Sequence, residues 1–406
     1  MMLNSLPKIP RHLSSWHRQR LNRKHIGQLV ATFLLTLNFP TVAIAQSSLQ
    51  GEAIVQELSQ CLLATLTENP SADPEVLKAV STQCFYQTLF LDRDGNIRSD
   101  IEDRLDAVVA ITGKSLPSAV SAGQATVTLN RLPDTGLFSV PVKIRDRPLE
   151  LLFDTGASDS ILSATVAKSL ELAGVAVPDE VFAYLVVGDR CEGMNASLFP
   201  LPPIAIDKAK VEQLNGLSVQ TLFQSVPSID GILGLNFLRQ FDLFFDPALG
   251  QLQLRSPSTP RPDALPLTGR LGVMTIPVTI NDEQTLTFLV DTGAELTVLS
   301  SAAANKISLP PSGYSAVQVM GLCGETTAKA IELESLAISS HRQTNLPAII
   351  LDSPVLTLLG IDGIVGQNYL NRYQQLWQFG PANALGYSET GGLVLSPLAQ
   401  DNPYQP

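Results

Sequence analysis

Two segments of this chain set a carboxylate directly after an apolar run and follow it with the same three residues. Leu151-Leu152-Phe153-Asp154-Thr155-Gly156-Ala157 is matched by Phe288-Leu289-Val290-Asp291-Thr292-Gly293-Ala294. In each, an apolar strand delivers the Asp to a rigid point, Gly permits the tight turn that follows, and the Thr hydroxyl can bond backbone or the other copy. One Asp-Thr-Gly is ordinary turn chemistry. A duplicated one is a pair, because a pseudo-twofold arrangement brings Asp154 and Asp291 face to face at the ends of their strands. Two carboxylates that close share one proton. One then acts as base on a bound water while the other, as acid, polarises a substrate carbonyl. A third copy, Asp134-Thr135-Gly136, follows Leu132-Pro133 in a turn and has no partner, so it is set aside.

The composition leaves carboxylates as the main chemistry. Of the four histidines, His12, His17 and His25 precede residue 45, and only His341, read as a surface residue, remains in the body. One histidine and four scattered cysteines (Cys61, Cys84, Cys191, Cys323) argue against a zinc site and against His-dependent nucleophiles, and no cofactor is expected. Asp92, Asp94 and Asn96 echo a calcium loop, but Ile97 stands where that loop needs Gly. The first 45 residues hold six of the 27 basic side chains and none of the 38 acidic ones, so the body is strongly acidic. It lacks the basic surface that nucleic acid requires.

The elements that must position the aspartates repeat in one order. Val140-Pro141-Val142-Lys143-Ile144 returns as Ile276-Pro277-Val278-Thr279-Ile280, and Ile229-Asp230-Gly231-Ile232-Leu233-Gly234 as Ile361-Asp362-Gly363-Ile364-Val365-Gly366. Asn236-Phe237-Leu238 returns as Asn368-Tyr369-Leu370, and Leu252 to Pro257 as Leu393 to Pro397. These short β-like runs, punctuated by Gly, Pro, Asp and Asn, make two homologous β domains. Asp230 and Asp362 form a second duplicated acid pair, read as structural groups that bond nearby backbone. Residues 47–115 differ, with apolar residues at helical spacing over Leu49 to Leu66 and Pro74 to Leu91. The division is residues 1–45 signal peptide, 46–115 helical domain, 116–124 linker, 125–257 first β domain, 258–268 linker, 269–397 second β domain and 398–406 tail.

The apolar-apolar-Asp-Thr-Gly-Ala motif with its downstream apolar-apolar-Gly resembles the retropepsin-like aspartic proteases. The resemblance covers about residues 125–397, and it is closest to a single-chain form with both halves fused. It implies a mainly β fold: two pseudo-twofold-related retropepsin-like closed β domains forming one cleft, preceded by a small α-helical domain. By that likeness Asp154 and Asp291 are catalytic, Thr155 and Thr292 brace them, and Gly156 and Gly293 present backbone to a peptide. The chain departs from retroviral members, which often carry an acidic residue after the motif and Arg after the downstream Gly. Those positions here are Ser158 and Glu295, then Leu235 and Gln367, so the Arg–carboxylate brace is expected to be absent and the two subsites to differ. Asp159 and Glu295 are candidates to bind substrate backbone, with solvated surface residues as the alternative.

Each half should also carry a hairpin flap that closes over substrate. Val317 to Ala330, with Gly321 and Gly324, fits in the second half, and Val186 to Leu198, with Gly188 and Gly193, in the first. Cys61 and Cys84 lie in neighbouring helical segments and are expected to pair. Cys191 and Cys323 fall at corresponding places in the two flaps, where they either bridge the pseudo-dyad or stand as separate thiols. A basic stretch, an apolar run from Leu29 to Leu37 and Ala43-Ile44-Ala45 read as an export signal, with an uncleaved anchor as the alternative. The expectation is thus an exported, periplasmic or extracellular aspartic endopeptidase, acting as a monomer on peptide or unfolded protein without stable membrane insertion after leader cleavage. A non-catalytic, protease-like peptide-binding or scaffolding module is the alternative. The helical domain is either a pro-segment over the cleft or a docking module.

Overall fold

The computed structural model describes residues 49–68, scattered positions from 80 to 107, and residues 118–177, 194–220, 228–307, 309, 314–322, 324–383 and 385–398. The leader, Gly188, Gly193, Cys191, Cys323 and most of the first flap lie outside these residues, and with them the proposed 191–323 bridge.

Each aspartate strand sorts its side chains by the twofold alternation of a pleated strand. On Arg147–Phe153, Leu149, Leu151 and Phe153 enter the large core, and on Gln284–Val290 the same places are held by Leu286, Phe288 and Val290. Phe138–Ile144 and Val273–Ile280 pair antiparallel with these strands, Val142 standing opposite Leu149 and Val278 opposite Leu286. Gly231–Leu233 and Gly363–Val365 run parallel on the other side, Leu233 beside Phe153 and Val365 beside Val290. Glycine is required at both starts. A Cβ on Gly231 would meet the Ile161 carbonyl at 2.2 Å, and one on Gly363 the Val298 carbonyl at 2.2 Å. The short helices Ala164–Ser169 and Ser301–Ala304 are likewise capped in parallel, by Ser163 accepting from the Val166 N–H and Ser300 from the Ala303 N–H.

The architecture is mainly β, with one 11-stranded and one 13-stranded sheet among the described residues. The lobes are not separate, however. Ala125–Thr128, Asp242–Asp246 and Gln251–Arg255, all from the first repeat, extend the second sheet. The joint is Asp242–Asp246 against Tyr373–Phe379, where Phe244 stands opposite Leu376. The offset that carries Gly234 onto Gly366 also carries Phe244 onto Leu376, so the pseudo-dyad passes between these two residues. On either side Gln378 Nε2 donates to Asp242 Oδ2 at 3.3 Å and Gln374 Nε2 to Asp246 Oδ2 at 2.6 Å. One apolar core runs through both lobes, with Phe245 edge-on to Phe138 and Phe153 at 5.1 and 5.3 Å and with Trp377 fully buried.

Both stretches read as linkers contain strands. Val120–Ala122 pairs with Ala209–Glu212, and Leu265–Arg270 with Thr390–Pro397. Their small and Pro-rich residues leave no apolar alternation to read, and backbone pairing at a sheet margin needs none. His341 is half-buried, its ring nitrogens 2.9 Å from the Leu395 carbonyl and 3.3 Å from that of Ile338, and it is packed edge-on to Tyr373.

Ahead of the lobes, helix Leu49–Glu68 buries Ile54 and Leu62, and Ile54 forms a small core with Leu89 and Ala107. Cys61 and Cys84 form a disulfide with Cα atoms 5.6 Å apart. The buried Arg104 donates to Glu57 at 2.8 Å, to Asp100 at 2.9 Å and to the Thr88 carbonyl at 2.9 Å.

Candidate active site

Asp154 and Asp291 meet at the junction of the lobes. Each continues its strand's parallel ladder, the Asp154 N–H donating to the Leu233 carbonyl and the Asp291 N–H to that of Val365. The threonines that follow are fully buried and bond across the junction. Thr155 Oγ1 donates to the Val290 carbonyl at 2.8 Å and accepts from the Thr292 N–H at 3.0 Å. Thr292 Oγ1 donates to the Phe153 carbonyl at 2.9 Å and accepts from the Thr155 N–H at 3.0 Å. Four reciprocal bonds therefore fix each loop to the strand end of the other lobe.

The carboxyl groups are set by the glycines. Asp154 Oδ1 accepts from the N–H groups of Gly156 at 2.8 Å and Ala157 at 3.0 Å, and Asp291 Oδ1 from that of Gly293 at 2.7 Å. A Cβ on Gly156 would lie 2.3 Å from Asp291 Cγ, and one on Gly293 2.4 Å from Asp154 Cγ. Each glycine thus lays its backbone against the opposite carboxylate, which any side chain would displace. Asp154 is 9% exposed and Asp291 somewhat more, so the pair is open on one side only.

Burial, then the charge of Asp291 and a hydrogen bond with it, push the Asp154 carboxyl well above the ordinary carboxylate range, against the pull of the Gly156 and Ala157 N–H groups. Burial also raises Asp291, and the Gly293 N–H and the bond from Asp154 offset part of that rise. The pair therefore holds a proton into a pH range where an isolated carboxyl would lose it.

Behind the loops, the segment after each apolar-apolar-Gly acts as a clamp. The Leu235 and Asn236 N–H groups donate to the Ala157 and Ser158 carbonyls, and those of Gln367 and Asn368 to the Ala294 and Glu295 carbonyls. Asn236 Oδ1 accepts from Ser160 N–H and Oγ, as Asn368 Oδ1 does from Thr297 N–H and Oγ1. The Asn-apolar-Leu echo signalled these two asparagines without revealing their part. Asp230 and Asp362 accept from the Glu150 and Thr287 N–H groups, which makes them backbone anchors of the aspartate strands.

The outer residues differ. Asp159 is half-buried, accepts from Ser158 Oγ at 3.0 Å, and has its carboxyl raised by burial against the pull of Ser158 and the Arg239 charge. The Arg239 charge acts on Asp159 without an ion pair or hydrogen bond between them among the described residues. Glu295 is exposed, and partial burial raises its carboxyl. Gly321 ends the strand Ser315–Gly321, which forms a hairpin with Gly324–Ile338 through the pair Gly321–Gly324. Gly324 needs to be glycine, at φ +105°. The unpartnered Asp134-Thr135-Gly136 turn has an inter-lobe place: the Gly136 carbonyl accepts from Asn371 Nδ2 at 2.8 Å. Gln367, fully buried, supports the second loop by donating from Nε2 to the Thr292 carbonyl at 3.1 Å.

No cluster of three or more His, Cys, Asp or Glu side chains able to hold a metal occurs among the described residues. The aspartyl protease family model matches the chain twice, over residues 140–237 and 276–369. No curated protein matches it.

Proposed function

Both β lobes of this chain belong to the retropepsin-like aspartyl protease family, and from that premise we propose that it is an exported aspartic endopeptidase using a water held between Asp154 and Asp291. The observation that carries the reading is the carboxyl pair itself, buried at the lobe junction with each carboxyl against the other loop's glycine, and with burial raising both carboxyls above the ordinary range. The ionised carboxylate removes a proton from the water as its oxygen attacks the peptide carbonyl carbon. The protonated partner gives its proton to the carbonyl oxygen. Collapse of the tetrahedral species passes a proton to the amide nitrogen, the C–N bond breaks, and the pair is left again with one proton.

Substrate peptide lies extended across the junction, paired through backbone with the hairpin Ser315–Ile338, whose outer residues such as Met320 are exposed. Asp159, Glu295 and Gly321 border that path, and both halves in one chain make the monomer sufficient. The Cys61–Cys84 disulfide supports export to an oxidising compartment. Among the described residues no helix is long and apolar enough to cross a membrane.

The test is hydrolysis of an unfolded protein by the purified chain from acidic to neutral pH, beside Asp154→Asn and Asp291→Asn. Cleavage by the parent that is lost in both variants supports the reading. Equal behaviour of all three chains rejects it and leaves a peptide-binding module.

A further inference from the structure

Leu235 and Gln367 hold the same place in the two repeats, directly after the downstream Gly, and both are buried. Their main chains act alike, each N–H donating to the alanine carbonyl of its own aspartate loop. Their side chains do not. Gln367 Nε2 donates to the Thr292 carbonyl at 3.1 Å. Leu235 has no group to give, and the Thr155 carbonyl has no donor among the described residues. The Asp134-Thr135-Gly136 turn of the first lobe backs Gln367, a Cβ on Gly136 standing 3.4 Å from its own.

The Thr292 carbonyl and the Gly293 N–H belong to one peptide group, and that N–H donates to Asp291 Oδ1 at 2.7 Å. A donor on the carbonyl draws electron density toward its oxygen and makes the N–H of the same group a stronger donor, by about 10–30% per bond. On an ionised carboxylate the added strength stabilises charge, and burial keeps water from screening it. In the first lobe the Thr155–Gly156 peptide gives its N–H to Asp154 Oδ1 at 2.8 Å with no amide behind it. Both carboxyls have the alanine N–H of their own loop on them, and Asp291 has the Gly156 N–H of the other loop as well. The titratable group facing each carboxyl is the other one; Asp159, under the Arg239 charge, stands outside the first loop and Glu295 outside the second. Burial raises both carboxyls, Asp154 well above the ordinary range, and on Asp291 the Gly293 N–H leads the groups that work against it.

We propose that Gln367 biases which aspartate keeps the shared proton: Asp291 is the ionised member that takes a proton from the attacking water, and Asp154 the protonated member that gives one to the peptide carbonyl oxygen. Gln367 touches neither substrate nor carboxylate, so it is a positioning residue that acts through the Thr292–Gly293 peptide. The assignment of acid and base rests on the endopeptidase reading, whereas the order in which the two carboxyls ionise does not. Between otherwise matched groups a modest bias is enough, since half a pH unit is about a threefold preference.

The experiment is a carbon-13 carboxyl titration by NMR of the full disulfide-bonded chain, beside Gln367→Leu and the mirror change Leu235→Gln. Signals are assigned by their loss in Asp154→Asn and Asp291→Asn, and the pH dependence of kcat/KM is followed in parallel. In the monoanion Asp291 alone is charged, and in the dianion both are. Loss of the Gln367 amide weakens these two states equally. The first ionisation, and with it the acid limb of kcat/KM, should therefore move up by about 0.2–0.7 of a pH unit while the second stays. Leu235→Gln should instead lower the second ionisation and leave the first. A glutamine with only a structural part would change stability or kcat and move neither limb. Unmoved ionisations in Gln367→Leu, or movement of the second in place of the first, overturn the proposal. Gln367→Met, similar in length but without the donor, replaces the leucine variant if that one does not fold. Should neither fold, the parent decides, and Asp154 losing its proton before Asp291 overturns the idea. A chain that titrates as stated but cleaves nothing keeps the order of ionisation and loses the endopeptidase reading. One that cleaves protein with ionisations indifferent to Gln367 loses this inference alone.

Discussion

In the first lobe the residues just outside the aspartate loop are Ser158 and Asp159, with the Arg239 charge acting on Asp159 and the Arg239 guanidinium 5.5 Å from the Tyr387 ring centre. In the second they are Glu295, which is exposed, and Leu296, while Asn371, standing where the repeat puts Arg239, bonds to the Gly136 carbonyl instead. Beneath the loops the contrast is Leu235 against Gln367, both buried, only the latter with an amide to give to the loop backbone. At the junction none of this variation is seen: threonine bonds and glycine contacts are the same in both. A group that must complement its counterpart in the other lobe cannot change alone without leaving a buried donor or acceptor unmatched. One that faces only its own lobe is free to diverge. The cleft is thus alike at its centre and different at its ends.

The strongest way to break this comparison is at the aspartates. Asp154→Asn and Asp291→Asn should each lower the turnover of peptide substrate by about 100- to 10,000-fold or more, and an active variant on one side only would show that the two are not one unit. Next come the threonines. Thr155→Ala leaves the Thr292 N–H and the Val290 carbonyl unmatched, and Thr292→Ala does the same to the Thr155 N–H and the Phe153 carbonyl. Each should cost about 2–6 kcal/mol in denaturant unfolding, at about 1–3 kcal/mol per stranded group. A clear inequality between them would mean that one lobe carries the junction.

The shared proton offers a third probe. A carboxyl with a raised folded-state pKa binds its proton more tightly when folded, so its contribution is present below the unfolded value and lost as pH rises through the folded one. Above the unfolded value the pair therefore costs stability, because folding either takes up a proton or buries the charge, and Asp154→Asn should raise Tm at neutral pH. The gain should shrink as pH falls below the ordinary Asp range near 4, where the parent carboxyls are protonated in both states. The smallest effect belongs to the outer residues: Gln367→Leu, which installs the side chain used at Leu235, should change unfolding free energy by less than about 1 kcal/mol, because it removes one bond together with a Gln367 Oε1 that has no partner.

The parts legible in the sequence were those that repeat. Duplication exposed the aspartate strands, the loops and the downstream glycines, and the Cys61–Cys84 spacing in helical segments anticipated the disulfide. The helical region's packing on the β lobes was not legible, because Phe90 sits in an amphipathic run whose apolar residues all look like helix core; only packing shows that Leu89 belongs to the helical core and Phe90 also to a cluster of the lobes. The strand exchange at the joint was hidden for another reason. Asp242–Asp246 alternates like any strand of its own lobe, and nothing local says that its partner lies in the other repeat.

The seam at the pseudo-dyad has a consequence for self-pairing. Its flanking bonds set an Asp of the first lobe against a Gln of the second, Asp242 with Gln378 and Asp246 with Gln374. Were two copies of the first lobe to associate across the same axis, Asp242 would confront Asp246 twice, carboxylate against carboxylate, with Phe244 against its own duplicate in the middle. Two second lobes would meet amide to amide and forgo the charge. The lobes are thereby matched as unlike halves, and the chain discourages association of two like lobes without any surface set aside for that purpose.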